Sequence, residues 1–126
     1  MRSHYETISA GRLPALDLQL VQAPVFHGLT ASILVDMEEP VTLEQVEAAL
    51  AGDHVDVVSV DSDPPSNLSA AGQENILIRA RAASGASGGS RRFWLWVAAD
   101  NLKLKALNGI ACANELRRLR PLGKVQ

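Results

Sequence analysis

The side chains able to do acid–base or covalent chemistry in this 126-residue chain are few, and their spacing decides how each is read. Cys112 is the single cysteine. A nucleophilic thiol needs a neighbouring base or positive field to become thiolate, and no histidine stands near it in sequence. Between Ala111 and Ala113 it reads instead as a small buried hydrophobe inside a helix. The three histidines, His4, His27 and His54, are far apart, with no partner at helical spacing and no adjacent cysteine. A metal site would therefore have to be assembled by tertiary structure alone. Of the three, His27 carries most weight, because it precedes Gly28 in a bend between two apolar stretches, where a side chain can reach a cleft; a turn histidine bonding a backbone carbonyl is the plainer role. Glu38 and Glu39 would need a common face to act as an acid–base couple, and neighbours in a strand point to opposite faces. Phosphate cradling asks for a glycine-rich turn leading into a helix. No G-x-G-x-x-G or G-x-x-x-x-G-K is present, and the dense glycines Gly85, Gly88 and Gly89 precede a strand pattern.

Composition narrows the classes further. Twelve basic against 14 acidic residues give a net charge of -2, which supplies no basic field for a phosphate backbone and argues against nucleic acid as a partner. Hydrophobic residues at 47% with 21% charged exclude global disorder. One cysteine excludes an intramolecular disulfide and any cysteine-rich zinc site, and fits a reducing compartment. The N-terminus has His4, Tyr5 and Glu6 where a signal peptide would be apolar, and no uninterrupted apolar run is long enough to span a membrane. The expectation is one cytoplasmic domain over 1–126, able to bury roughly two-thirds of its unfolded surface.

The elements that would position these residues follow from periodicity. Residues 1–10 read as a short helical turn closed by Gly11. Residues 17–26, DLQLVQAPVF, read as a strand limited by Pro24, which cannot donate to a ladder. From Leu29 to Glu38 alternation is nearly complete, with Leu29, Ala31, Ile33, Val35 and Met37 on one face. Thr42 and Gln45 form a capping box that opens a helix over 42–51, stapled by Val41 and Val46 and ended by Gly52 in the left-handed region. Val55–Val60 is a short strand and 61–69, with Pro64–Pro65, a loop. Strands over 75–83 and 91–99 flank the glycine–serine connector 84–90. The second, RRFWLWVAA, is apolar on both faces and predicts a central strand covered on both sides. Asp100 caps a last helix over 101–119, whose stripe Leu102, Ala106, Ile110, Ala113 and Leu116 faces the sheet, with Arg117, Arg118 and Arg120 at its C-terminal end. The fold class is α+β: a mixed β-sheet with helices packed on one face.

Three blocks carry a family resemblance: QLVQAPVFHGLTASILVDMEEPVTLEQVEAAL, SAAGQENILIRAR and FWLWVAADNLKLKALNGIACANEL. Taken in order over residues 17–117, they resemble the C-terminal substrate-binding and dimerisation domain of the aspartate-semialdehyde dehydrogenase family, most closely its divergent bacterial branch. AADNLKLKALNGIACANEL is similar to the family's DNLR…ALNAV…AEEL helix, and P-V-F-H-G to its strand bend before a histidine–serine pair.

The resemblance implies an NADP-dependent activity in amino-acid biosynthesis, in which aspartyl phosphate is reductively dephosphorylated through a cysteine thioester. In such enzymes the N-terminal half carries the cofactor fold and the cysteine, and the C-terminal half supplies a substrate-binding arginine, a general-base histidine and most of the dimer interface. Here the arginine position falls on Gln22 and the histidine–serine pair on Leu29–Thr30. Glutamine offers no charge for a bidentate bond to a carboxylate, and leucine accepts no proton. His27, two residues earlier, replaces the histidine only if the bend is re-aimed. Asn101 and Lys103 match the stretch that lies near the cofactor cleft in the family. The expectation is a stand-alone or truncated dimerisation domain, a non-catalytic homodimer needing no cofactor by itself. The alternative is one half of a split dehydrogenase, using NADP once paired with a separate Rossmann-type chain.

Overall fold

A computed structural model describes residues 2–14, 19, 21, 22, 25, 27–83 and 89–119 of the chain. The elements are α1 (Arg2–Ser9), β1 (Leu29–Val41), α2 (Leu43–Leu50), β2 (Val55–Val57), α3 (Asn67–Ala70), β3 (Ile76–Ala82), β4 (Ser90–Ala99) and α4 (Asn101–Leu119). The strands form one mixed sheet in the order β1-β4-β3-β2, with β2 parallel to β3 and the other pairs antiparallel. This is the α+β class read from the sequence.

Register explains how alternation becomes a core. Ile33 pairs with Leu95 and Leu95 with Ala80, while Val35, Phe93 and Ala82 form the next row, so one face collects the apolar residues of three strands. Ile78, Ala80, Phe93, Leu95 and Val97 are buried there, with Phe93 the largest fully buried side chain. Leu43, Val46 and Leu50 of α2 pack against this cluster. The capping box that opens α2 is formed as read: the Gln45 amide donates to Thr42 Oγ1 at 3.3 Å, and the Thr42 amide to Gln45 Oε1 at 2.9 Å. Val41 and Val46, the two ends of the hydrophobic staple, both reach the core.

Several expectations are corrected. The strand read over 17–26 falls mostly outside the described residues, and Gln19, Val21, Gln22 and Val25 within it are not in a strand. The Val55–Val60 strand stops at Val57, with the Val58 amide making a last bond to the Ile78 carbonyl at 2.8 Å. A short helix, α3, interrupts the expected 61–69 loop, opened by a Ser66–Ser69 capping box whose serines read on the sequence as loop composition. Helix α2 ends on Ala51 in extended backbone rather than on a left-handed Gly52. Strand β4 is central, but Trp94 and Trp96 remain 40% exposed, so only one of its faces is covered throughout. The stripe on α4 does not face the sheet: Leu102, Ile110 and Leu116 are each 60% exposed, and Ala106 and Ala113 are exposed as well. The helix departs from the end of β4 and only its first two turns are partly covered, so amphipathic spacing here records no packing within the chain. Cys112 consequently sits exposed rather than buried. The glycine–serine connector lies outside the described residues over 84–88.

Candidate functional site

Pairing Leu29 with Ala99 brings the residues just before β1 beside those just after β4. That single register places His27 and Gly28 against Asp100 and Asn101, more than seventy positions away in sequence. Asp100 is the hub of the resulting corner and is 7% exposed. Its Oδ1 accepts the amides of Leu102 and Lys103, both at 3.0 Å, which is the helix cap that its position suggested. Its Oδ2 accepts the Gly72 amide at 2.8 Å and lies 3.7 Å from His27 Nε2. The backbone donors of Lys103 and Gly72 hold the Asp100 carboxyl below its ordinary range; desolvation opposes them, and the Leu102 amide and the charge of His27 add smaller pulls in the same downward direction.

The neighbouring side chains are engaged in the same way. Asn101 Oδ1 accepts the Gly28 amide at 3.0 Å, and Lys103 Nζ donates to the Gly72 carbonyl at 3.3 Å while pairing with Glu74 at 3.2 Å. Gly28 has φ +118°, so its backbone favours glycine, and a Cβ there would lie a tight 3.2 Å from Asn67 Cβ on α3. Four segments thus meet: the bend at 27–28, α3, the turn around Gly72 and the start of α4.

What this corner can do chemically is limited by how fully it is satisfied. The Asp100 carboxylate already accepts three amides and is a poor proton acceptor. His27 retains freedom, since its side chain is 38% exposed and 3.7 Å exceeds a hydrogen bond. Of the residues singled out in sequence, His27, Asn101 and Lys103 are brought together. Gln22 is exposed, and Leu29 is a half-exposed residue opening β1. His4 and His54 are exposed elsewhere, as are Glu38 and Glu39. Among the described residues, no group of three or more His, Cys, Asp or Glu side chains is placed to hold a metal ion. Sequence reasoning missed Asn67, Gly72 and Glu74, which reach the corner only through tertiary structure; Gly72, at φ +76°, was the one with a local signal.

A second feature lies on the sheet face opposite the core. Its rows run Ser32–Trp96–Arg79 and Leu34–Trp94–Arg81, followed by the pair Asp36–Arg92. Segment 59–65 crosses the first row: Trp96 Nε1 donates to the Pro65 carbonyl at 2.6 Å, and Arg79 Nη2 donates to the carbonyls of Ser59, at 2.7 Å, and Ser62. The second row is left open, with Leu34 48% and Trp94 40% exposed. Arg92 Nε donates to Asp36 Oδ2 at 3.0 Å beside it.

Neither a protein-family model nor a curated protein matches this sequence. A solved structure does: a probable aspartate-semialdehyde dehydrogenase from Pseudomonas aeruginosa, 30% identical, with a TM-score of 0.64 over 75% of this chain. The chain shares its fold with part of a dehydrogenase. The match spans 28% of the length of that protein, so the resemblance read from the three sequence blocks holds at the level of the fold and of a partial domain. No helix among the described residues is long and apolar enough to cross a membrane.

Proposed function

We propose that this chain is an assembly module, a cytoplasmic homodimer built on the C-terminal domain fold of the aspartate-semialdehyde dehydrogenase family, in its divergent bacterial branch, without that family's chemistry. The observation that carries this reading is the open sheet row, where Leu34 of the edge strand β1 and Trp94 of its neighbour β4 remain about half exposed side by side. Apolar side chains of that size in one contiguous strip mark a surface that associates. Gln22 and Leu29 support the loss of chemistry, since they stand at the positions where the resemblance asks for a charged anchor and a base. Static light scattering at micromolar concentration, combined with an assay using aspartate semialdehyde, phosphate and NADP, tests it. A dimer without turnover is expected; a monomer, or turnover by the chain alone, sinks the reading.

A second reading is favoured by one contact. His27 lies 3.7 Å from the Asp100 carboxylate, with its imidazole still reaching solvent. In a split dehydrogenase it would carry the proton, with Asn101 and Lys103 nearest the NADP supplied by a separate Rossmann-type chain. Affinity capture from the source cells, followed by mass spectrometry, separates the two readings: recovery of such a chain favours the split enzyme, and recovery of this chain with itself favours the module.

A further inference from the structure

The sheet ends on β1, and among the described residues no strand pairs with the outer side of that strand. Which backbone groups β1 presents there follows from one bond. The Ala83 amide donates to the Arg92 carbonyl at 2.8 Å, so Arg92 turns its backbone toward β3, and by alternation Phe93, Leu95 and Val97 turn theirs toward Val35, Ile33 and Ala31. Thr30, Ser32, Leu34 and Asp36 therefore aim their amides and carbonyls outward. This stretch is bounded at both ends: Gly28, at φ +118°, lies outside strand geometry, and the register with β4 breaks after Asp36. Apolar side chains stand exposed along it on both faces of the sheet, Leu29 at 51% and Ile33 at 41% on the core side and Leu34 on the other. Helix α2 packs chiefly over β3 and β2, which leaves this margin only partly covered. Between Thr30 and Val35 there is no lysine, proline or bulge of the kind that blunts an edge.

Resting on the assembly reading above, we infer that a second copy of this chain adds its own β1 to this edge, antiparallel and about a two-fold axis through Ile33, so that two four-stranded sheets become one. The occupant follows from register. A two-fold axis perpendicular to the sheet keeps core face beside core face, and the four outward residues are symmetric about position 33. Thr30 then exchanges both backbone bonds with the partner's Asp36, and Ser32 with the partner's Leu34. Moving the axis to Ser32 sets Asp36 against the partner's Gly28, outside the ladder; moving it to Leu34 sets Thr30 against the partner's Glu38, beyond the register break. Only the axis at Ile33 pairs all four. On the core side it places Ile33 against the partner's Ile33 and Ala31 against the partner's Val35, an apolar row that continues the core of one copy into the other. On the other side Asp36 comes beside the partner's Thr30 hydroxyl, and no acid faces an acid. A partner on the open row would cover Leu34 and leave Leu29 and Ile33 in water, whereas a strand along the edge reaches both faces.

Cross-linking reads this register, because opposed residues that share no hydrogen bond in an antiparallel pair hold their Cα atoms about 4.5 Å apart, within the span of a disulfide. In the full chain carrying Cys112→Ser, Ile33→Cys treated with oxidised glutathione is expected to shift to a covalent dimer on a non-reducing gel. Ala31→Cys and Val35→Cys, each about 14 Å from its own symmetry copy, are expected to stay unlinked singly and to link to one another when mixed. Far-UV circular dichroism verifies that each variant is folded; should Ile33→Cys fail to fold, the mixed pair decides. Sedimentation of the unmodified chain gives its oligomeric state. A dimeric chain whose Ile33→Cys variant folds and stays unlinked, or in which Ala31→Cys links to itself as readily as to Val35→Cys, overturns the edge pairing while leaving the assembly reading in place. An unmodified chain that stays monomeric overturns the assembly reading, and the edge pairing with it.

Discussion

At the scale of single residues, Asp100 does more than its sequence position announced. It caps α4, as an aspartate before a helix should, but it also binds the Gly72 amide and faces His27, so one carboxylate fastens three segments to the end of the sheet. The cap was legible because it is a local pattern; the other two contacts depend on where the chain returns, which no window of sequence contains. A consequence follows for acid stability. The carboxyl is held below its ordinary value in the folded chain, so the folded state favours the carboxylate more than the unfolded state does. That stabilisation is complete above the ordinary aspartate value and is lost as pH falls through the lowered folded value. Glu44, held low by its own backbone amide and the Thr42 hydroxyl, acts in the same sense. Asp100→Asn is therefore expected to lower the thermal midpoint at neutral pH by several degrees and to leave a shallower acid decline, the remainder coming from Glu44. Midpoints measured from pH 7 down to about pH 3 check it, and acid limbs of equal slope in the two proteins would contradict it.

At the scale of elements, what the sequence made legible was whatever neighbouring residues decide together. Leu29–Glu38 alternates and forms β1; Thr42 and Gln45 share a capping box and open α2. Thr42→Ala is expected to cost about 1 kcal/mol, the usual value for a lost N-cap, read as a shift in the denaturation midpoint by chemical unfolding. No measurable shift would mean that α2 is held by Leu43, Val46 and Leu50 alone. Helix α4 shows the opposite case. Its capping and length were readable, but the direction in which it leaves the sheet is not written in its 3.6-residue period, so an apolar stripe that stays largely exposed was assigned to the sheet. β4 failed on one face for a related reason: an apolar face in a sequence shows that something must cover it, without showing that the cover belongs to the same chain.

At the scale of the whole molecule, a sheet with one face filled and the other only partly crossed by segment 59–65 is incomplete in water. If a second copy completes it, association and folding are linked, and the thermal midpoint rises with protein concentration. Calorimetry across a hundredfold range of concentration reads this directly; a constant midpoint would speak against self-association. The strand order carries a different consequence, in time rather than in stability. Among the described residues β4 is the strand furthest along the chain and yet lies between β1 and β3, so the sheet cannot be zipped in the order in which the chain is written. β1 has to remain unpaired until a segment some fifty to seventy residues later finds it, a search that raises the loop-closure entropy of pairing. During synthesis β1 would emerge from the ribosome as an orphan edge. Its acidic far end, at Asp36, Glu38 and Glu39, followed by Pro40, is the kind of ending that keeps such an edge from pairing with the wrong chain while it waits.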